Sequence, residues 1–197
     1  MSTQSQPFMR GAFSPTEPIP GLPGRNIGHF WSWAYSNLQE NTVRPAFAEF
    51  MVGALLGVAS DGRKVWDGVD LRYGDHSIEV KSSAYVQAWQ QRQPSRIQFD
   101  IARKLAWDHD SNTTVEEPVR PADCYVFCLH REKDEDKANP LDVSSWCFWV
   151  LSTARINEVF GGQQSVVLSR IEALTDPVTA ADLRRTVHEV LDMDRPK

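Results

Sequence analysis

Lysine and cysteine are scarce in this chain: of 197 residues, six are lysine and three are cysteine. Cys124, Cys128 and Cys147 lack the paired spacing of a zinc site and fall in apolar, strand-like segments. Buried, reduced thiols are therefore expected, and neither a disulfide framework nor a thiolate metal centre is. No apolar run approaches the ~20 residues that a membrane helix needs, and no charged-then-apolar leader opens the chain, so the expected setting is the cytoplasm, with no membrane partner. Excess positive charge is missing too. The formal net charge of −5 removes bulk attraction as a way of holding a polyanion. No internal repeat is present.

What the chain does contain is enough length for one sizeable core. Residues 1–26, rich in Pro, Ser and Gly, read as an extended N-terminal arm, and 27–197 as a single domain. A first helix with an aromatic stripe (Phe30, Trp31, Ala34, Tyr35, Leu38) is expected over 27–39, the aromatics serving as core. A second helix is expected over 41–57, with Asn41 as N-cap, Pro45 near the first turn and Gly57 as the stop. The segments 123–129 and 146–151 are continuous apolar runs, as in central strands buried on both faces. Alternation at Ile97, Phe99 and Ile101 marks another strand, and 165–168 an edge strand. Thr153 to Phe160 reads as a short helix closed by Gly161-Gly162, and Thr179 as the N-cap of a final amphipathic helix. The fold class expected is α/β: a mixed central sheet flanked by helices.

One short stretch carries more chemistry than the rest: Ile78-Glu79-Val80-Lys81, an acid and an amine two residues apart on an apolar strand. The pattern alone is weak, because randomly placed acids and lysines in this composition yield roughly 0.8 occurrences. The chain contains its own control. Glu135-Asp136-Lys137 fits the same pattern inside a charge run from Arg131 to Lys137, without apolar alternation, and reads as a solvated loop.

Alternation sends Ile78 and Val80 to one face of the strand and Glu79 and Lys81 to the other. Upstream, Gly68 to Tyr73 alternates as well, and Gly74-Asp75 between the two segments suits a two-residue type II′ hairpin turn. Counting outward pairs Tyr73 with His76, Arg72 with Ser77, Leu71 with Ile78 and Asp70 with Glu79. Opposed residues have Cβ atoms about 4.5–5.5 Å apart, so two acids at that position repel unless a cation lies between them. Mg²⁺ or Mn²⁺ would answer the repulsion, with Asp70, Glu79 and the Val80 backbone carbonyl as ligands and water or phosphate completing the shell. Lys81, a point charge beside such a site, could position a water and offset charge developing at phosphorus. Glu49 is the only charged residue between Arg44 and Asp61, so it must face the metal site, pair with an arginine such as Arg44, or reach solvent.

These residues resemble the PD-(D/E)xK phosphodiesterase superfamily, the restriction-endonuclease-like fold: a helix carrying an acid (Glu49), a strand ending in Asp (Asp70), and a following strand with Glu-x-Lys (Glu79, Lys81). The resemblance covers mainly 41–83, and Val69 stands where the motif's proline would be. It implies an αβββαβ core, catalytic Asp70, Glu79, Lys81 and Glu49, dependence on Mg²⁺ with Mn²⁺ as a substitute, and DNA as the usual substrate. The expectation is a restriction, defence or repair endonuclease, small enough to need a homodimer for a two-strand cut. The alternatives are a catalytically silent nucleic-acid-binding or assembly protein with the same fold, and an RNA-cleaving nuclease. From Lys81 to Lys104 the charges sum to +4, interleaved with Tyr85, Trp89 and glutamines; Gln87, Arg92, Arg96, Arg103 and Lys104 are the candidate nucleic-acid contacts. The lone histidines His29, His76 and His130 receive no catalytic role.

Overall fold

The apolar alternation around Glu79 and the two continuous apolar runs become one four-stranded sheet in the computed structural model, which describes residues 13–193 apart from 60–62, 64–67, 106, 109–112 and 115–116. In chain order the elements are α1 (Ile27–Tyr35), α2 (Arg44–Leu56), β1 (Leu71–Tyr73), β2 (His76–Ala84), β3 (Gln98–Asp100), β4 (Trp107–Asp108), β5 (Thr113–Thr114), β6 (Cys124–His130), β7 (Trp146–Ser152), α3 (Thr153–Phe160), β8 (Ser165–Val167), α4 (Leu168–Glu172) and α5 (Ala180–Met193).

The chain divides into two compact units, 1–37 and 38–197. In the first, an antiparallel bridge between Pro18 and Asn26 leads into α1. Asn26 closes the helix start reciprocally: its side chain accepts from the His29 amide at 3.0 Å, and its own amide donates to His29 Nδ1 at 3.1 Å. This helix stops at Tyr35, short of the expected 39, and buries none of its residues. Phe30, Trp31 and Tyr35, expected in the core, are exposed, as is Trp33.

In the second unit, α2 starts later than expected. Val43 occupies the N-cap without a side-chain bond, while the Asn41 side-chain oxygen accepts from the Arg44 guanidinium instead. Pro45 sits in the first turn, where its missing N–H costs nothing. Gly57 ends the helix at φ +82°, and the Val58 amide reaches back to the Gly53 carbonyl at 2.8 Å.

The sheet order is β1-β2-β6-β7: β1 and β2 antiparallel, β2 and β6 parallel, β6 and β7 antiparallel. The hairpin register is the expected one, Tyr73 with His76, Arg72 with Ser77 and Leu71 with Ile78, and Gly74 takes the positive φ (+61°) that the turn demands. All residues of β6 and β7 are buried, as continuous apolar strands require.

Each face of the sheet has its own core. Ile78, Val80, Cys124, Val126 and Cys128 join Trp146, Phe148 and Val150 beneath α2 and the Leu183, Val187 and Leu191 stripe of α5. On the opposite face, Tyr125, Phe127, Leu129, Trp149 and Leu151 pack against Ile97, Phe99, Ile101 and the α3 residues Ile156 and Phe160. Strand β8 is not an edge of this sheet but the antiparallel partner of β3 in a separate two-stranded sheet. Its Val166 is buried with Phe99, so two short strands on one face satisfy each other's backbones. Arg120, 6% exposed, ties this layer together, donating to the carbonyls of Ile101, Gly161 and Gln163 and to the Asn157 side chain at 2.6–3.0 Å. All three cysteines are buried, and none is in a disulfide. Among the described residues, no helix is long and apolar enough to cross a membrane.

Candidate active site

The pleat of β2 gives Ile78 and Val80 to the core under α2 and turns Glu79 and Lys81 toward the opposite face. Glu79 is 1% exposed, an ionisable group in a nearly dry position. It persists there through two ammonium partners. Lys81 Nζ donates to Glu79 Oε1 at 2.6 Å, and Lys104 Nζ donates to the same oxygen at 2.5 Å. The other oxygen, Oε2, is buried with no hydrogen-bond partner among the described residues. A buried carboxylate oxygen without a donor is costly, and functional sites are where such a cost is tolerated.

Asp70 lies immediately before β1, and the hairpin brings it to this carboxylate. Its Oδ2 accepts from the Val80 amide at 2.7 Å, so the side chain caps the edge of β2 where β1 has ended. Backbone N–H and C=O of one strand residue point to the same side, which turns the Val80 carbonyl toward Asp70 as well. Burial, then repulsion from Glu79, pushes the Asp70 carboxyl up to about 6, against the opposing pull of the Val80 amide; Glu49 adds to the rise and Lys81 counters it. This is the repulsion between opposed acids that the hairpin register implied. For Lys104, burial opposes the charged form, yet its bond to Glu79 and the nearby charges of Asp70 and Asp100 hold its pKa above the ordinary lysine value.

Glu49 is buried, at 7% exposure, and both its oxygens are engaged. Arg63 grips them as a fork, Nε to Oε2 at 2.5 Å and Nη2 to Oε1 at 2.6 Å. Of the three destinations open to Glu49 in the sequence, an arginine is the one realised, and it is Arg63 rather than Arg44. Arg44 instead donates to the Gln39 carbonyl and the Gln87 side chain, both at 3.1 Å. Glu49 still acts electrostatically on Asp70, so the three acids share one neighbourhood, Glu49 and Glu79 contacting different cations and Asp70 a backbone amide.

The remaining candidates scatter. Gln87 is buried, bonded to Arg44, the Ala84 carbonyl and Ser95, and holds the chain after β2 rather than offering its amide to a base. Arg92, Arg96 and Arg103 are exposed. Lys104, read from sequence as a backbone-phosphate contact, is at the carboxylate pair itself. Sequence reasoning missed that role and the fork by Arg63; neither cation lies in a stretch of sequence whose periodicity would aim it. His130 is 1% exposed, and burial holds its pKa below the usual imidazole value. The decoy behaves as a solvated loop: Glu135, Asp136 and Lys137 are all exposed, and Lys137 pairs with Asp134 at 2.7 Å.

Among the described residues, no group of three or more His, Cys, Asp or Glu side chains is arranged to hold a metal ion. The oxygens near one another that could meet a divalent cation are those of two carboxylates, Asp70 and Glu79, with the Val80 backbone on the same strand edge. The orphaned Glu79 Oε2 fits that role, and hard oxygen ligands suit Mg²⁺, which keeps several waters of its own. Comparison with protein-family models, curated proteins and solved structures gives no match to this chain.

Proposed function

We propose that this protein is a divalent-metal-dependent endonuclease hydrolysing phosphodiester bonds of DNA, with a core of the PD-(D/E)xK, restriction-endonuclease-like type. The observation that carries the reading is Glu79: a carboxylate 1% exposed, one oxygen bonded to Lys81 and the other without a partner, beside an Asp70 pushed up to about 6. Support for the αβββαβ core that the resemblance implies is partial: α2, β1 and β2 precede a β6 laid parallel to β2, but among the described residues two strands of this sheet, rather than three, stand between α2 and the crossover to β6. The crossover from β2 to β6 differs, carrying short strands and no helix among the described residues.

In this reading Asp70, Glu79 and the Val80 carbonyl would hold Mg²⁺, with Mn²⁺ as a substitute. When bound, the cation polarises the phosphoryl oxygen and acidifies a water. Lys81 holds that water against the phosphorus and offsets the negative charge that develops there. Asp70, with its carboxyl pushed up to about 6, is half ionised there and gains charge as the pH rises further, so ligand capacity rises with pH. A homodimer would supply the second cut of a duplex.

A specific observation favours a second reading, a catalytically silent nucleic-acid-binding or assembly protein. Glu49, Asp70 and Glu79 are faced by Arg63, Lys81 and Lys104, three acids by three bases, so the charges can balance without a metal. The deciding experiment incubates the purified protein with plasmid, linear duplex, single-stranded DNA and RNA, in Mg²⁺, Mn²⁺ or EDTA. The expected outcome is metal-dependent cleavage of DNA that disappears in Asp70→Ala and Lys81→Ala. Cleavage confined to RNA would move the substrate, and absence of both cleavage and metal binding would favour the silent protein.

A further inference from the structure

Two ammonium groups share one oxygen of Glu79 while the other oxygen has none, an uneven arrangement for a purely structural ion pair. The two lysines are held differently. Lys81 is two residues along the same strand, its side chain 18% exposed, and the pleat keeps it beside Glu79. Lys104 is 25 residues away on an irregular segment, with a side chain 46% exposed. Its backbone is pinned by a reciprocal pair of bonds to Val119, at 2.8 and 2.9 Å, so the long side chain alone is free to leave.

Charge arithmetic points the same way. With Lys81 and Lys104 both on Glu79, a divalent cation arriving at that carboxylate would meet two like charges at one oxygen. Withdrawal of one of them relieves the repulsion. Arg63 is fixed by a two-bond fork to Glu49, and Lys81 by its strand; among the described residues Lys104 has one hydrogen bond, to an oxygen of the carboxylate that the metal would use.

We propose that Lys104 is a removable placeholder: its ammonium occupies Glu79 in the metal-free protein, withdraws when a divalent cation enters between Asp70 and Glu79, and is thereby released toward solvent and the substrate's phosphates. This assignment rests on the nuclease reading above. Lys104 is then a positioning residue that sets the threshold concentration of metal at which the site fills.

The test needs no nucleic acid. Mn²⁺ is titrated calorimetrically into the full chain and into Lys104→Met, which keeps an unbranched apolar stem one atom shorter and removes the charge. The expected result is Mn²⁺ binding about 10-fold tighter in Lys104→Met, and within about threefold of the parent in Lys104→Arg, because a competitor has been removed in the first and kept in the second. Loss of packing alone would not tighten binding. Equal or weaker binding in Lys104→Met, with binding that still requires Asp70, overturns the placeholder and leaves the nuclease reading standing. Absence of Mn²⁺ binding in every variant, or binding indifferent to Asp70→Ala, overturns both. A second measurement uses the unaltered protein: acylation of Lys104 by an amine-reactive ester, followed by peptide mass spectrometry. Its rate should rise several-fold on addition of Mg²⁺, while an unchanged or slower rate counts against withdrawal.

Discussion

Glu79-Val80-Lys81 and Glu135-Asp136-Lys137 have the same spacing of acid and amine and opposite fates. In the first, Glu79 is 1% exposed and Lys81 donates to it; in the second, Lys137 bypasses Glu135 and pairs with Asp134, 72% and 42% exposed. Side chains two residues apart share a face on a strand, whereas on a turn their directions diverge. The surroundings differ just as sharply. Neighbouring strands Tyr125 and Phe127 exclude water around Glu79, and low local polarity strengthens each charge interaction that remains. The lesson is that spacing supplies reach, and burial supplies the energy.

The comparison breaks most visibly at Glu79. Glu79→Ala leaves Lys81 and Lys104 without their carboxylate, and we expect cleavage to fall at least about 10²-fold and stability to fall by about 2–4 kcal/mol; plasmid nicking and urea denaturation measure the two. Asp70→Asn separates activity from stability. Cleavage should drop by a similar factor, yet the fold should gain. The Asp70 carboxyl binds its proton more tightly folded (about 6) than unfolded, so its ionisation costs stability above pH 6, and that cost vanishes as pH falls below the unfolded value. Asp70→Asn should therefore be more stable than the parent by about 1–2 kcal/mol at pH 7.5, after discounting for partial exposure, and equal to it near pH 4. An advantage that grew on acidification would contradict the origin given for the shift.

Arg63→Met should cost about 1–2 kcal/mol by leaving the buried Glu49 without its fork, with less than about 10-fold loss of cleavage. A loss as deep as that of Glu79→Ala would bring Glu49 into the reacting centre. The smallest effect belongs to the decoy: Glu135→Ala and Lys137→Ala should leave cleavage rate and melting temperature unchanged in a parallel assay. Any marked loss there would erase the distinction between the two copies.

Much of the sheet was legible because its signals are local and periodic. Alternation in β2, the Gly74 turn and continuous apolar runs in β6 and β7 each specify an element, and the hairpin register followed by counting from the turn. The ends of α1 and α2 were less so, since caps are single residues whose role depends on their neighbours; Asn41 was recruited by Arg44 instead of capping. The aromatic stripe of α1 was read as core because periodicity reports a face without saying what covers it, and no residue of that helix is buried. Gln87 looked like a base-edge binder from composition alone, and a buried hydrogen-bond network claimed it.

By itself, the sequence determined that Glu79 and Lys81 lie on one side of a strand and that a hairpin turn returns Asp70 to them. Those relations span at most a dozen residues, within which backbone geometry is nearly deterministic. Only the tertiary structure decided that Lys104 comes to the same carboxylate, that Arg63 engages Glu49, and that the parallel partner β6 sets Tyr125 and Phe127 in register with Glu79 and Lys81. These contacts join segments distant in sequence, which no local periodicity brings together, and their energies grow as burial removes the competing solvent.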